Sequence, residues 1–345
     1  MLFRKIVFPV LLFMSSASLV AQDFSNPVEY LDYIGKKNKE LSTKYLSYLS
    51  ASSHGKSARK VDKRRTEVIN SITETRQYIQ IMPPFKGDRS LRDSTVIYLK
   101  LLYIVFNEDY AKIVNMEEIA EQSYDAMEAY MLAQDKAQEK LSAASERQHE
   151  AQKKFAANNK INLVDDVSEL EQKMKTANTL MKHYDEVYLV FFKAYKQEDY
   201  LMQAVNKKNI IAVEQNLSSL KQFAEDGLEK LKTIQSPNGD ATLIAACRNL
   251  LLFYASESKD AAGYTDFFLK EEEFTKIKKE FDGKPSSKRT QQDVDRYNKG
   301  VNDINAARNN YNKLNDQLNK SRSGALDDWN KAVKKFLDNY MPTQR

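Results

Sequence analysis

Residues 170–195 read LEQKMKTANTLMKHYDEVYLVFFKAY, and an apolar or aromatic side chain recurs there at alternating steps of four and three residues. Residues spaced in this way share one face of an α-helix, so the stretch predicts a helix of about seven turns with a continuous seam. Ser168 and Glu171 have the spacing of a capping box at its start. The seam consists of Leu170, Met174, Ala177, Met181, Tyr184, Tyr188, Phe191 and Tyr195.

Seams of the same spacing run through the rest of the chain, at 213–234 and twice within 294–340, and in the N-terminal half from about residue 34 onward. No stretch shows the sustained period-two alternation of a half-buried strand. Gly and Pro are scarce, at 9 and 7 of 345 residues, as in long uninterrupted helices. The sequence therefore predicts an all-α fold: an elongated antiparallel helical bundle of about eight or nine helices, with coiled-coil-like seams and no sheet.

Loop-forming, proline and helix-capping residues predict where the helices of the first half end and begin. The segment 52–55 has loop composition and should end the first helix, and Pro83-Pro84 should stop the second. Asn115, followed three residues later by Glu118, has capping-box spacing. We therefore expect the third helix to end near residue 113 and the fourth to begin at 115.

Two loops point to related halves of the chain. Gly87-Asp88 precedes Gly239-Asp240 by 152 residues, and a strongly apolar helix is predicted after each pair. Low residue identity argues against a duplication, as does a Gly-Lys-Pro break at 283–285 that the first half lacks. We expect an N-terminal helical unit at 22–160 and a C-terminal helical unit at 161–345, as two related four-helix units or as one continuous bundle.

Residues 1–21 have the layout of a secretory signal peptide. Arg4-Lys5 gives a basic start, an apolar run follows, and small residues lead to Val20-Ala21-Gln22, with cleavage expected after Ala21. The apolar run is too short to cross a bilayer core of about 30 Å, and no Cys stands at the junction to carry a lipid anchor. The protein is therefore expected to be exported by the general secretory route to the periplasm or the cell surface.

Charge and hydropathy exclude two classes of partner. The formal net charge is +5, and cleavage after Ala21 removes Arg4 and Lys5 and leaves +3. That balance gives no support for nucleic-acid binding, which normally needs a concentrated basic face. The longest remaining apolar run, 96–106, contains Lys100 and is shorter than the roughly 20 residues of a membrane span, so no span is expected.

Reactive side chains lack the partners that catalysis or metal binding requires. Glu146 and His149 have the Glu-x-x-His spacing of di-iron bundles, but the sequence has no second such motif, so His149 should be a surface residue. His54 lies in a predicted loop, and Cys247 lies in an apolar helix and should be buried and inert. No phosphate-binding loop or nucleophile elbow occurs. We therefore predict that the protein is not an enzyme and has neither a catalytic residue nor a cofactor. The alternative is an enzyme with a dispersed acid/base pair.

His183 and Glu186 lie one turn apart on the helix predicted at 170–195. The pair resembles the short His-x-x-Glu motif of imelysin-like proteins, although Met181 stands where those proteins have glycine. The resemblance implies an exported, all-helical protein linked to iron acquisition, with His183 and Glu186 as metal ligands. The alternative is an interfacial histidine beside Met181 and Tyr184, with Glu186 in solvent.

The Val20-Ala21-Gln22 signal end and the capped, heptad-like helices resemble those of uncharacterised all-helical exported or surface proteins of Gram-negative cell envelopes. The 19 Tyr and 16 Phe residues suit both core edges and partner surfaces. We therefore predict a non-enzymatic helical binding or spacer module that contacts a protein or envelope component through helix faces. The alternative is a periplasmic ligand or metal carrier with an inter-helix site near His183 and Glu186.

Overall fold

The computed structural model describes residues 24–53, 57–163 and 169–341. The predicted signal peptide, His54 and the Ser168 cap lie outside them. Ten α-helices account for nearly all of the described residues. They are α1 Pro27–Ser53, α2 Ala58–Gln80, α3 Ser90–Ile104, α4 Tyr110–Ala120, α5 Tyr124–Asn158, α6 Glu169–Asn206, α7 Ile210–Leu231, α8 Thr242–Asp260, α9 Ala262–Asp282 and α10 Gln291–Tyr340.

These ten segments form eight rods. α3 continues into α4 through the π-helical turn Val105–Asp109, and α8 meets α9 at Ala261. The longest rod, α10, has 50 residues and extends for about 75 Å. The described ranges contain no strand, only an isolated bridge between Phe85 and Asp88. The predicted all-α bundle of eight or nine helices is confirmed.

Both halves repeat one order of packing. In the first half α1 packs on α2, α2 packs on α3, and α3 and α4 both pack on α5. In the second half α6 packs on α7, α7 packs on α8, and α8 and α9 both pack on α10. The third rod is interrupted in each half, at Val105–Asp109 and at Ala261. The described helices therefore follow one connectivity in both halves, here named the first and second four-rod units, and the duplication stays a prediction.

The two Gly-Asp loops share a backbone conformation. Lys86 and Gly87 have φ angles of 47° and 86°, and Asn238 and Gly239 have φ angles of 54° and 74°. Two successive residues with positive φ turn the chain sharply, and glycine adopts this conformation without the steric cost of a Cβ atom. The two Gly-Asp pairs, 152 residues apart, thus lie in turns of the same backbone conformation.

The aspartate of each loop binds a backbone N–H group at the start of the next helix. Asp88 Oδ1 accepts a hydrogen bond from the backbone N–H of Ser90 at 2.7 Å, and Asp240 Oδ1 accepts one from Thr242 at 2.8 Å. A carboxylate in this position satisfies a backbone donor that a helix start leaves free. Asp88 and Asp240 therefore each bind the N–H of the first residue of the helix that follows, Ser90 of α3 and Thr242 of α8.

The fourth predicted helix begins later than its sequence indicated. α4 runs on through residue 115, and α5 begins only after Ser123, whose hydroxyl accepts the N–H of Ala126 at 3.2 Å. The prediction that Asn115 starts a helix was wrong. A capping box needs free backbone N–H groups, and within a continuous helix those groups already donate to carbonyls four residues earlier.

Two buried clusters lie along the bundle. The first draws on α1 to α5 and includes Ile72 and Leu99, which have no exposed surface. The second draws mainly on α6 to α10 but also buries Met127 and Met131 from the first turns of α5. Because α5 contributes to both clusters, the domain boundary at 160/161 stays a prediction.

The seam predicted within 170–195 forms the edge of the second core more than its centre. Phe191 is buried, but Tyr184 and Tyr188 are only half-buried. The enclosed face of α6 is offset from this seam and includes Leu180 and Val187, each with no exposed surface. The difference follows from the phenol rings, whose apolar bodies pack while their hydroxyls stay near water.

Leu251 and Leu252 are neighbours on α8 but are 0% and 47% exposed, so they test the orientation of this helix. Leu251→Ala should lower the free energy of unfolding by about 2–5 kcal/mol, because it leaves a cavity where Leu251 lies against Gly227 of α7. Leu252→Ala removes the same atoms from a solvent-facing position and should cost less than about 1 kcal/mol. Urea denaturation of both variants measures the difference. Equal losses would show that α8 is misoriented.

Candidate functional site

His183 and Glu186 share a turn of α6 but lie in different environments. His183 is 5% exposed, with its ring centroid 5.8 Å from that of Phe336, whereas Glu186 is exposed. Burial lowers the pKa of His183, and the charges of Glu186 and Asp240 and the backbone of Gln235 oppose that change. The imidazole is therefore favoured in its neutral form near neutral pH.

The described residues do not surround His183 with further metal ligands. No group of three or more His, Cys, Asp or Glu side chains in the described ranges could hold a metal ion. Neither ring nitrogen of His183 makes a hydrogen bond of good geometry there. His183 and Glu186 alone fall short of the three or four protein ligands that a zinc-type site uses. The assignment of the pair as metal ligands stays a prediction.

Two other residues singled out in the sequence lie where they were expected. Cys247 has no exposed surface, and burial raises the pKa of its thiol to about 12. Its Sγ lies 3.9 Å from the carbonyl oxygen of Val187. Since the thiolate is the reactive form, we expect this cysteine to be inert in the folded protein. His149 is exposed on α5.

Three charged side chains, here named the charge cluster, meet inside the second unit: Glu198 of α6, Glu257 of α8 and Arg322 of α10. Arg322 forms ion pairs with both glutamates, whose side chains are only 6% and 0% exposed. It also donates to Asn319 Oδ1 and, at 3.4 Å, to Met202 Sδ. Loss of one partner would leave a buried charge uncompensated, so the charge cluster couples the positions of three helices.

One carboxyl of the charge cluster, that of Glu257, has a pKa near neutral pH. Burial raises the pKa of Glu257 to about 7, and the nearby Glu198 carboxylate raises it as well, while Arg322 lowers it. Burial also raises the pKa of Glu198, again against the effect of Arg322. Two carboxylates share one guanidinium, so a proton on Glu257 leaves a neutral pair between Glu198 and Arg322. The second oxygen of Glu257 and the Tyr254 hydroxyl find no hydrogen-bond partner among the described residues.

Sequence reasoning missed the charge cluster, although its members carried a signal. Each of the three interrupts an apolar row with four-three spacing, where a charged residue is unusual. The rows are Val187, Phe191, Ala194, Glu198 and Leu201 on α6; Leu243, Cys247, Leu250, Tyr254 and Glu257 on α8; and Leu318, Arg322, Ala325 and Trp329 on α10. Opposite charges at seam positions of neighbouring helices were therefore readable as a buried ion pair.

An open groove of about 690 Å³, here named the α6 groove, lies where α5, α6 and α10 meet. Its volume falls within the roughly 300–1,000 Å³ of small-molecule sites. Val333 and Leu337 of α10 form one wall. The remaining wall is rich in methionine and tyrosine, namely Met127, Tyr130, Met131, Met181, Tyr184 and Tyr188.

Asp185 is the unusual polar residue of the α6 groove. It is half-buried and makes no hydrogen bond or ion pair with any residue that the structure describes. Burial, together with the nearby carboxylates of Asp135 and Glu186, raises the pKa of its carboxyl to about 7. Sequence reasoning singled out Glu186, one residue away, whereas the structure places Asp185 in the groove and leaves Glu186 in solvent.

Comparison with known proteins adds no relative: the chain matches no protein-family model, no curated protein and no solved structure. In the part of the chain that the structure describes, no helix has the length and apolarity to cross a membrane. The resemblances to envelope proteins and to imelysin-like proteins stay predictions. Function therefore has to be argued from the charge cluster and the α6 groove.

Glu257 should make the stability of the fold depend on pH. Its pKa is about 7 in the folded protein against an ordinary 4.5, so the folded state binds this proton more tightly than the unfolded chain does. The resulting stabilisation is complete below about pH 4.5 and is lost as the pH rises to about 7, by at most about 1.4 kcal/mol per pH unit. Glu257→Gln cannot ionise and should flatten this decline.

Urea denaturation between pH 5 and 8 measures the effect. Glu214→Gln is the control, since Glu214 is exposed on α7. Identical pH dependence of the unfolding free energy in wild type and Glu257→Gln would contradict the proton assignment.

Proposed function

We propose that this protein is a non-enzymatic, exported binding module of the cell envelope, and that it binds its ligand or partner in the α6 groove. The observation that carries the proposal is the groove itself, an open recess of about 690 Å³ that is lined by methionine and tyrosine and contains the half-buried carboxyl of Asp185. Most of its lining residues belong to the long helices α5, α6 and α10, and Glu121 lies in the turn between α4 and α5.

The side chains of the α6 groove suit binding. Methionine is flexible and polarisable, so it adapts to apolar ligands of different shape. Tyrosine offers an apolar ring for contact and a hydroxyl for hydrogen bonding. Tyr184 and Tyr188 stand next to each other on α6, with ring centroids 5.6 Å apart, and together present a broad aromatic surface. A protein that acts only as a spacer does not need such a groove, so the groove favours the binding module over the spacer module.

The same lining argues for binding over catalysis. General acid–base catalysis places a second functional group within hydrogen-bond reach of the first. The residues that line the α6 groove include no histidine or cysteine, and Asp185 makes no hydrogen bond with another described side chain. Glu257 of the charge cluster has a pKa near 7, but its side chain has no exposed surface, so a substrate cannot contact it.

The alternative, a ligand or metal carrier, differs from the binding module only in what the site binds. Met181, Tyr184 and Asp185 line the groove, and they belong to the same stretch of α6 as His183 and Glu186. A carrier for a small organic ligand is therefore compatible with the α6 groove. A metal carrier would need ligands beyond His183 and Glu186, and the described residues gather no such set.

Export predicts a shortened and unmodified chain. The mature protein should begin at Gln22, because Ala21 ends the signal-like segment, and no Cys at the junction can be acylated. Intact-mass measurement of protein from the native envelope fraction tests this. A mass that retains residues 1–21, or one increased by an acyl group, would contradict export by this route.

Blocking the α6 groove should abolish binding of an apolar probe. Val333→Arg places a long side chain in the groove, and we expect it to weaken saturable binding of the neutral dye Nile red at least about tenfold. Ile97→Arg is the control, because Ile97 is 59% exposed on α3. Fluorescence titration measures both variants once circular dichroism shows that they are folded. Unchanged binding by Val333→Arg would remove the groove from the proposal.

A further inference from the structure

The charged residues of the α6 groove are mostly acidic. Glu121, Asp185 and Asp338 line it, against the single cation Lys334, which is already paired with Asp338. Asp135 adds further negative charge near Asp185. A recess of this sign attracts cations and repels anions, because its low-dielectric walls focus the field of the carboxylates.

The half-buried Asp185 lacks the counter-charge that the buried Glu198 and Glu257 possess. In the charge cluster, Glu198 and Glu257 share Arg322, whereas Asp185 forms no ion pair with any described residue. A carboxylate withdrawn from water is costly unless a cation or donors replace the lost hydration. A ligand ammonium would supply both, through charge-assisted N–H···O bonds of about 2.7–2.9 Å.

The aromatic rings beside Asp185 favour the same ligand charge. Tyr130, Tyr184 and Tyr188 line the groove, and a cation over a phenol face is attracted by the ring quadrupole. The chain uses this contact elsewhere on α6. There Lys193 Nζ lies 5.1 Å from the ring centroid of Tyr124 and 4.5 Å from that of Phe223.

The dimensions of the α6 groove favour a small molecule over a protein. A stable protein interface buries about 800 Å² on each partner, far more than the walls of this groove present. The volume of about 690 Å³ instead matches a ligand with an apolar body of one or two rings or a short alkyl chain. Met127, Met131 and Met181 can adapt to that body.

From these contacts we propose that the ligand of the α6 groove is a small organic amine, with an apolar or aromatic body against the methionines and tyrosines and its ammonium bound by the Asp185 carboxylate. This inference rests on the proposed function, because it names the ligand class of the same groove. Asp185 is then the residue that selects ligand charge, and the apolar wall provides affinity without selecting charge.

Three probes with one apolar body and different charge test the proposal on the full mature protein: 4-phenylbutylamine, 4-phenylbutanol and 4-phenylbutyrate. Ligand-observed NMR titration at pH 7.5 gives their relative affinities. The amine should bind about tenfold more tightly than the alcohol, and the carboxylate should bind most weakly. Asp185→Asn should reduce the amine's advantage to within about twofold and leave binding of the alcohol unchanged.

Controls separate failure of this inference from failure of the proposed function. Glu214→Gln, an exposed change on α7, should keep the preference for the amine. Equal binding of the three probes, or a preference that survives Asp185→Asn, would overturn the amine assignment and leave the groove as a binding site. Absence of binding by every probe would overturn both. Sedimentation that shows a dimer disrupted by Val333→Arg would also overturn the assignment, because a second copy would then cover the groove.

Discussion

The ion pairs of Arg322 with Glu198 and Glu257 constrain the second half of the molecule. They join α6, α8 and α10, which also meet through apolar contacts such as the stack of Phe191 on Trp329 at 4.6 Å. Apolar contacts tolerate sliding by a turn, whereas a buried charge has one acceptable partner position. Since α6 and α10 also form walls of the α6 groove, the charge cluster joins two of the helices that shape it.

Comparison of the two units shows how a repeated framework diverges. The interruption of the third rod in the first unit, the π turn at 105–109, adjoins a cluster of aromatic rings that includes Tyr45, Tyr48 and Phe106. The corresponding interruption in the second unit, at Ala261, adjoins Glu257. Aromatic rings fill space with little directional demand, while ions require partners at fixed places. The unit with the charge cluster is therefore the one with the more strictly specified register.

The fold followed from sequence because helix periodicity and loop chemistry are local properties. The four-three rows and the Gly87-Asp88 and Gly239-Asp240 turns act within a few residues, and each was readable from spacing. The cap predicted at Asn115 is the exception. Asn115 has the pattern of a cap, but whether backbone N–H groups there are free depends on whether the preceding helix continues, which α3 and α4 decide together through the π turn.

The sites were harder to predict because they are formed by residues far apart in sequence. Glu198, Glu257 and Arg322 come from three helices, and only their packing shows that they meet. The sequence analysis did not single out Asp185. One step along a helix turns a side chain by about 100°, and this step separates Asp185 in the groove from Glu186 in solvent. The sequence singled out Glu186 for its spacing from His183, although its neighbour has the unusual environment.

The order of packing also bears on how the chain folds. Within each unit a rod packs mainly on the rods that follow or precede it closely in sequence, so most contacts close short loops. Such low contact order is associated with fast folding, because little chain entropy is lost before contacts form. α5 is the exception, since Met127 and Met131 belong to the second buried cluster. During synthesis from the N-terminus, the first unit can therefore fold early, with Met127 and Met131 uncovered until α6 is made.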